Sequence, residues 1–237
     1  MSYFLALLII GFTILVHEFG HLVFAKSVQM PIKTFSVGFG PKLLSKKINK
    51  TEYRLSLIPL GGYVMPDIEN EEEFFEIPVY KRVVMSLGGP IASIILPIFC
   101  FAIINILSND ISILTAILQP INQVFNIFFS MLISLPKIFS GQGNVSGIVG
   151  IVAQGAQIIE GNLFNSLQFI GLISLNFALL NLLPLPILDG GKVLLYLMEK
   201  VTVKFKKLHY PLAIASWVLI IGLMVYVTVM DVSKLIV

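Results

Sequence analysis

The run MSYFLALLIIGFTILVHEFGHLVFA, residues 1–25, carries a single charged side chain, Glu18, among residues that are mostly apolar. About 20 apolar residues cross a hydrocarbon core of about 30 Å, so this run is long enough to span a bilayer as a helix. It lacks a basic beginning and a clear small-residue cleavage site, and is therefore read as a retained span. The rest of the chain has the same character. Of its 237 residues 57% are apolar and 12% charged, and the mean hydropathy is +0.93. Such a composition belongs to a membrane protein.

Three further runs hold no Asp, Glu, Lys or Arg: residues 83–107, 161–188 and 208–230. The expected fold is an α-helical polytopic membrane protein of about four spans, forming one membrane-embedded domain over 1–237. Residues 111–136 and 138–159 are also uncharged. Pro120, Asn122, Gln123 and Asn126 interrupt the first and glycines the second, so this outer region, 108–160, is expected to be re-entrant or interfacial, or to cross twice. Nine of the 16 basic residues lie between Lys26 and Arg82 and five between Lys192 and Lys207. Both segments are expected on the cytoplasmic side. A net charge of +3 from scattered cations gives no footprint for nucleic acid.

Within the first span, His17-Glu18-Phe19-Gly20-His21 forms H-E-x-x-H. On a helix, positions i and i+4 share a face, so both imidazoles reach one zinc ion and Glu18 stands beside them as a base. If these were packing residues only, a carboxylate would remain at membrane depth, at a cost of about 2.5 kcal/mol or more unless paired or protonated. A divalent cation removes that cost. Cys100 is the one cysteine, so any metal is held by His, Asp or Glu.

A catalytic zinc keeps three protein ligands and one open position. Asp189 and His209 are the principal candidates for the third. Asp189 closes NLLPLPILDGG, residues 181–191, where two prolines break the helix and two glycines allow close backbone approach. His209 opens the last span beside Tyr210 and Pro211, a common interfacial setting.

Residues 26–82 form the main soluble segment. Short β-strands are expected around Phe35-Ser36-Val37 and Tyr53–Ile58, with turns at Gly38–Pro41 and at Gly61-Gly62. A small cytoplasmic hairpin or sheet there is suited to receive an unwound peptide strand. The acidic stretch Glu69–Glu76 is read as a solvated connector, with Phe74-Phe75 at the membrane interface.

Together with FSVGFGP (35–41), IPLGGYV (58–64), Lys81-Arg82 and LGGP (87–90), these motifs resemble the site-2 protease family of intramembrane zinc metalloproteases, in particular the bacterial branch acting on anti-sigma factors and signal-peptide remnants. The resemblance covers almost the whole chain. It implies that His17, His21 and Asp189 bind zinc, that Glu18 is the general base, and that Asn181, Pro184 and Pro186 line the substrate channel. Gly61 and Gly62 join them as substrate-binding candidates beside the sheet. Implied partners are transmembrane or signal-peptide substrates and the bilayer, in a bacterial inner membrane with the site towards the cytoplasm. Two features depart from the family. Ser93 stands where asparagine usually follows the G-x-P block, and residues 108–160 are too few and too apolar for the PDZ domain often inserted there. Two rival readings come from other classes. A divalent-metal transporter calls for acids in further spans, and an inactive escort of membrane proteins calls for loss of Glu18 or a ligand.

Overall fold

The computed structural model describes residues 1–108, 112–139, 146–159, 161–202 and 204–236. The first helix, α1, runs Ser2–Ser27. It stops where Gln29 turns left-handed at φ 57°, and the N–H groups of Gln29 and Met30 return to the carbonyls of Lys26 and Ala25 at 3.0 and 2.9 Å.

Strands β1 (Ile32–Ile48) and β2 (Thr51–Pro66) follow and pair antiparallel in a two-stranded sheet. Both are longer than expected, and the chain reverses between Ile48 and Thr51, where Asn49 adopts φ 55°. The glycines read as turns bend the strands instead. Gly38, Gly40 and Gly61 have φ of 86°, 84° and 127°, values that kink a strand without reversing it. The bends let residues 34–37 face β2 twice: Phe35 lies opposite both Val64 and Tyr53, and Val37 opposite both Gly62 and Leu55. Buried Leu22, Ala25, Met30, Ile32 and Phe35 join the sheet to the end of α1.

Helix α2 (Glu71–Glu76) forms within the expected connector, its first turn capped by Asn70 Oδ1, which accepts from Glu73 N–H at 2.9 Å. Helix α3 (Val79–Ser108) then crosses α1 at backbone contact. A Cβ on Gly20 would collide with the Gly88 carbonyl and lie 2.6 Å from Ala92 Cβ, so only glycine permits the approach. That crossing puts the H-E-x-x-H face against α3.

Helices α4 (Ile113–Phe139), α5 (Ile148–Ile159), α6 (Leu163–Asn181), α7 (Asp189–Glu199) and α8 (Lys204–Ile236) complete the chain. Five helices are long and apolar enough to cross a membrane, the four expected ones and Ile113–Pro136. Helix α4 packs in a core of Phe101, Val124 and Leu175. At 12 residues, α5 is about 18 Å long, short of a hydrocarbon core. Its first turn is held by buried Asp231 of α8, whose Oδ2 accepts from Gly150 N–H at 2.9 Å, and its last residue packs with Ala6, Ile9 and Phe169. The chain is thus a polytopic helical membrane protein with one small sheet.

Candidate metal centre

Three side chains from distant parts of the sequence converge. His17 Nε2 lies 3.1 Å from Asp189 Oδ2 and 3.2 Å from His21 Nε2, and His21 Nε2 lies 3.1 Å from the same Asp189 oxygen. All three residues are buried. Tetrahedral zinc bonds of about 2.0–2.2 Å place neighbouring donors about 3.3 Å apart, so this triangle matches one face of a zinc tetrahedron.

The outer contacts of the rings fix where their lone pairs point. His21 Nδ1 lies 2.8 Å from the Met85 carbonyl, which can only accept, so Nδ1 carries the proton and Nε2 turns a lone pair inward. The longer 3.3 Å approach of Gly89 N–H to the same Nδ1 is secondary. His17 Nδ1 lies 3.0 Å from Ser93 Oγ, which can take its proton in the same way. Two ring lone pairs then face a carboxylate oxygen at hydrogen-bond range. Acceptors so close together call for a cation between them.

Gly89 supplies the room. A Cβ there would press on His21 Nε2 and sit 2.6 Å from His17 Nε2, filling the space beside both ring nitrogens. The donor set and this cradle fit a zinc ion held by His17, His21 and Asp189.

Asp189 is the first residue of α7, and its second oxygen, Oδ1, accepts from Lys192 Nζ at 3.2 Å. The loop before it is compact. A Cβ on Gly190 would strike the Leu182 carbonyl, and one on Gly191 the Leu185 carbonyl, with Pro186 N at 2.6 Å. The two glycines are therefore packing requirements of the turn that delivers Asp189. The far end of α7 is tied to α3 by a buried pair, Arg82 Nη1 and Nη2 to Glu199 Oε2 and Oε1 at 2.8 and 3.0 Å. Phe74, Phe75 and Tyr196 surround that guanidinium at 5.2, 5.5 and 4.9 Å from their ring centres. The Phe74-Phe75 pair packs on Arg82, because α2 turns both rings toward the start of α3.

Glu18 is half-buried, and among the described residues no side-chain hydrogen bond holds its carboxylate. Gly62 adjoins it: a Cβ on Gly62 would lie 3.0 Å from Glu18 Cγ. The sheet is thereby brought to Glu18. Gly61 packs under the Phe39 ring, where a Cβ would lie 2.8 Å from Cζ. Asn181 ends α6 with its Nδ2 donating to the Phe177 carbonyl at 3.0 Å, while Pro184 is exposed and Pro186 half-buried in the following loop. The side chain of His209 lies outside the described residues.

The model of peptidase family M50 matches residues 5–227. The chain belongs to peptidase family M50. This bears out the site-2 protease resemblance and makes the chain a member of a metalloprotease family. Among similar proteins is a "Putative zinc metalloprotease" of Fusobacterium nucleatum, 25% identical with 99% of each chain covered. Another of Campylobacter jejuni is 26% identical, covering all of this chain and 94% of the relative. One from Chlamydia trachomatis is 41% identical over 42% of this chain, which spans 19% of that relative. The Fusobacterium alignment runs over 337 positions against 237 residues here, so about a hundred positions of that relative stand opposite gaps. Ser93 and Gly89 are the members of this M50 site that the sequence reading passed over. Ser93 registered only as a departure from a pattern, and Gly89 only as part of LGGP.

Proposed function

We propose that the chain is an intramembrane zinc metalloendopeptidase that hydrolyses peptide bonds in or near transmembrane segments, including signal-peptide remnants. The observation that carries this reading is the triangle of His17, His21 and Asp189 with the unengaged Glu18 carboxylate on the same helix. His21 lies six residues and His17 ten residues from the end of α1, so the centre sits about 9–15 Å along the helix from its basic, cytoplasmic end. That depth is within the bilayer of a bacterial inner membrane.

When bound, zinc supplies Lewis acidity that polarises a carbonyl and makes a water acidic near neutral pH. Glu18 takes the water's proton on its carboxylate and passes it to the departing amide nitrogen. Met85 and Ser93 hold the two imidazoles in one orientation, and Lys192 neutralises the outer oxygen of Asp189. Gly62 leaves the sheet open beside Glu18, so that an extended substrate segment pairs with the β2 backbone near the base. A helical substrate must first unwind, since its carbonyls are otherwise engaged. Asn181, with Pro184 and Pro186 in the broken end of α6, offers polar backbone to that opened segment.

The test uses the purified full chain in detergent with a single-span substrate. Cleavage within the span, lost on chelation and regained with added zinc, supports the proposal. Cleavage confined to extramembrane loops, or unaffected by chelation, contradicts it.

A further inference from the structure

A groove of about 450 Å3 on the β1–β2 sheet takes no part in the metal centre. Lys33, Lys47, Lys50 and Arg54 line it, with Glu52 and Asp67 as the acids. Glu52 is already shared, its carboxylate 2.9 Å from Lys42 Nζ and 3.0 Å from Arg54 Nη2. Lys42 first, then Arg54, hold it down at about 2, so it is ionised at neutral pH. Lys33, Lys47 and Lys50 form no ion pair with any described residue. Arg54 directs Nη1 to Tyr63 Oη at 3.3 Å. Three ammonium groups without ion pairs among the described residues, lining one groove with a guanidinium, call for an anion with several acceptor oxygens.

We propose that this groove binds the phosphate of an anionic phospholipid headgroup and so holds the sheet against the membrane surface. Two observations favour a lipid over a free anion. Lys33 follows the end of α1 by six residues, a reach of at most about 20 Å from the bilayer. Met65 lines the groove at 45% exposure, and Leu43 is 53% exposed on the neighbouring strand. Exposed aliphatic residues beside cations suit acyl chains and headgroups at once. The groove also adjoins the site: Tyr63 is on its wall, and the preceding residue, Gly62, packs against Glu18. Lipid occupancy thus sets the position of the strand beside the base.

The full chain in uncharged detergent is titrated with short-chain phosphatidylglycerol, short-chain phosphatidylcholine and inorganic phosphate, and bound ligand is counted by native mass spectrometry. Phosphatidylglycerol is expected to bind. The Lys33→Gln/Lys47→Gln/Lys50→Gln variant should weaken it by at least about tenfold. Arg54→Lys, which keeps the charge and removes the planar guanidinium fork, should weaken it severalfold. A charge-matched control, Lys46→Gln/Lys81→Gln/Lys200→Gln, should change it less than about twofold. Equal binding of phosphatidylcholine, equal or tighter binding of free phosphate, an equal effect of the control, or no effect of the groove variants would each overturn the proposal. None of these readouts uses zinc or cleavage, so failure here is separable from failure of the protease reading.

Discussion

His17 and Asp189 stand 172 positions apart in the chain and 3.1 Å apart in space, Nε2 to Oδ2. Helix α3 mediates that meeting. It crosses α1 at Gly20 and Gly88, holds both imidazoles through Met85 and Ser93, and anchors the far end of α7 through Arg82.

Removing a corner of the triangle should remove the metal. Asp189→Ala, His17→Ala and His21→Ala are each expected to lower zinc affinity by more than about 100-fold, beyond the effect usual for outer partners. Competition against a chelator of known affinity measures this. Retention of full zinc affinity by Asp189→Ala would make His209 the better third ligand.

Ser93→Ala removes the hydroxyl against His17 Nδ1 and leaves every ligand in place. Zinc affinity should fall by about tenfold. Ser93→Asn should recover much of the loss, because an amide oxygen can accept the same proton.

Gly89→Ala and Gly88→Ala separate occupancy from packing. The first fills the space beside both Nε2 atoms and should abolish zinc binding with little change in thermal unfolding. The second forces α1 and α3 apart at Gly20 and should lower thermal stability, by about 1–3 kcal/mol for an overpacked contact.

Much of this arrangement was legible because it is local. The H-E-x-x-H spacing is a property of one helix, and the span lengths follow from counting apolar residues. The break before Asp189 is written in Pro184, Pro186, Gly190 and Gly191. What was not legible depends on packing between distant segments. Whether Gly38 and Gly61 turn a strand or bend it is decided by pairing with the rest of the sheet, and Asn49, a weaker local signal, became the true reversal. That Phe74 and Phe75 pack on Arg82 depends on how α2 meets the start of α3. Ser93 meets His17 only through the crossing of α1 and α3. The capacity of α4 to span was obscured by Pro120 and by three polar residues that a helix of that length tolerates.

The Arg82–Glu199 pair is buried on both sides, so breaking half of it should cost more than removing it whole. Arg82→Met or Glu199→Leu alone is expected to destabilise by about 3–5 kcal/mol. The double variant should recover most of that, and unfolding in detergent monitored by circular dichroism measures the cycle. Equal losses in the single and double variants would mean that the aromatic rings, and not Glu199, hold Arg82.

The most direct measurement compares wild type with Glu18→Gln for two quantities on one preparation: zinc bound per chain, and cleavage of a single-span substrate. The amide keeps the shape of the side chain and cannot take a proton from water. The account predicts unchanged zinc content with cleavage reduced by at least about 100-fold, the lower end of the range supplied by a positioned base. Cleavage by Glu18→Gln at near wild-type rate, with zinc still bound, would contradict it.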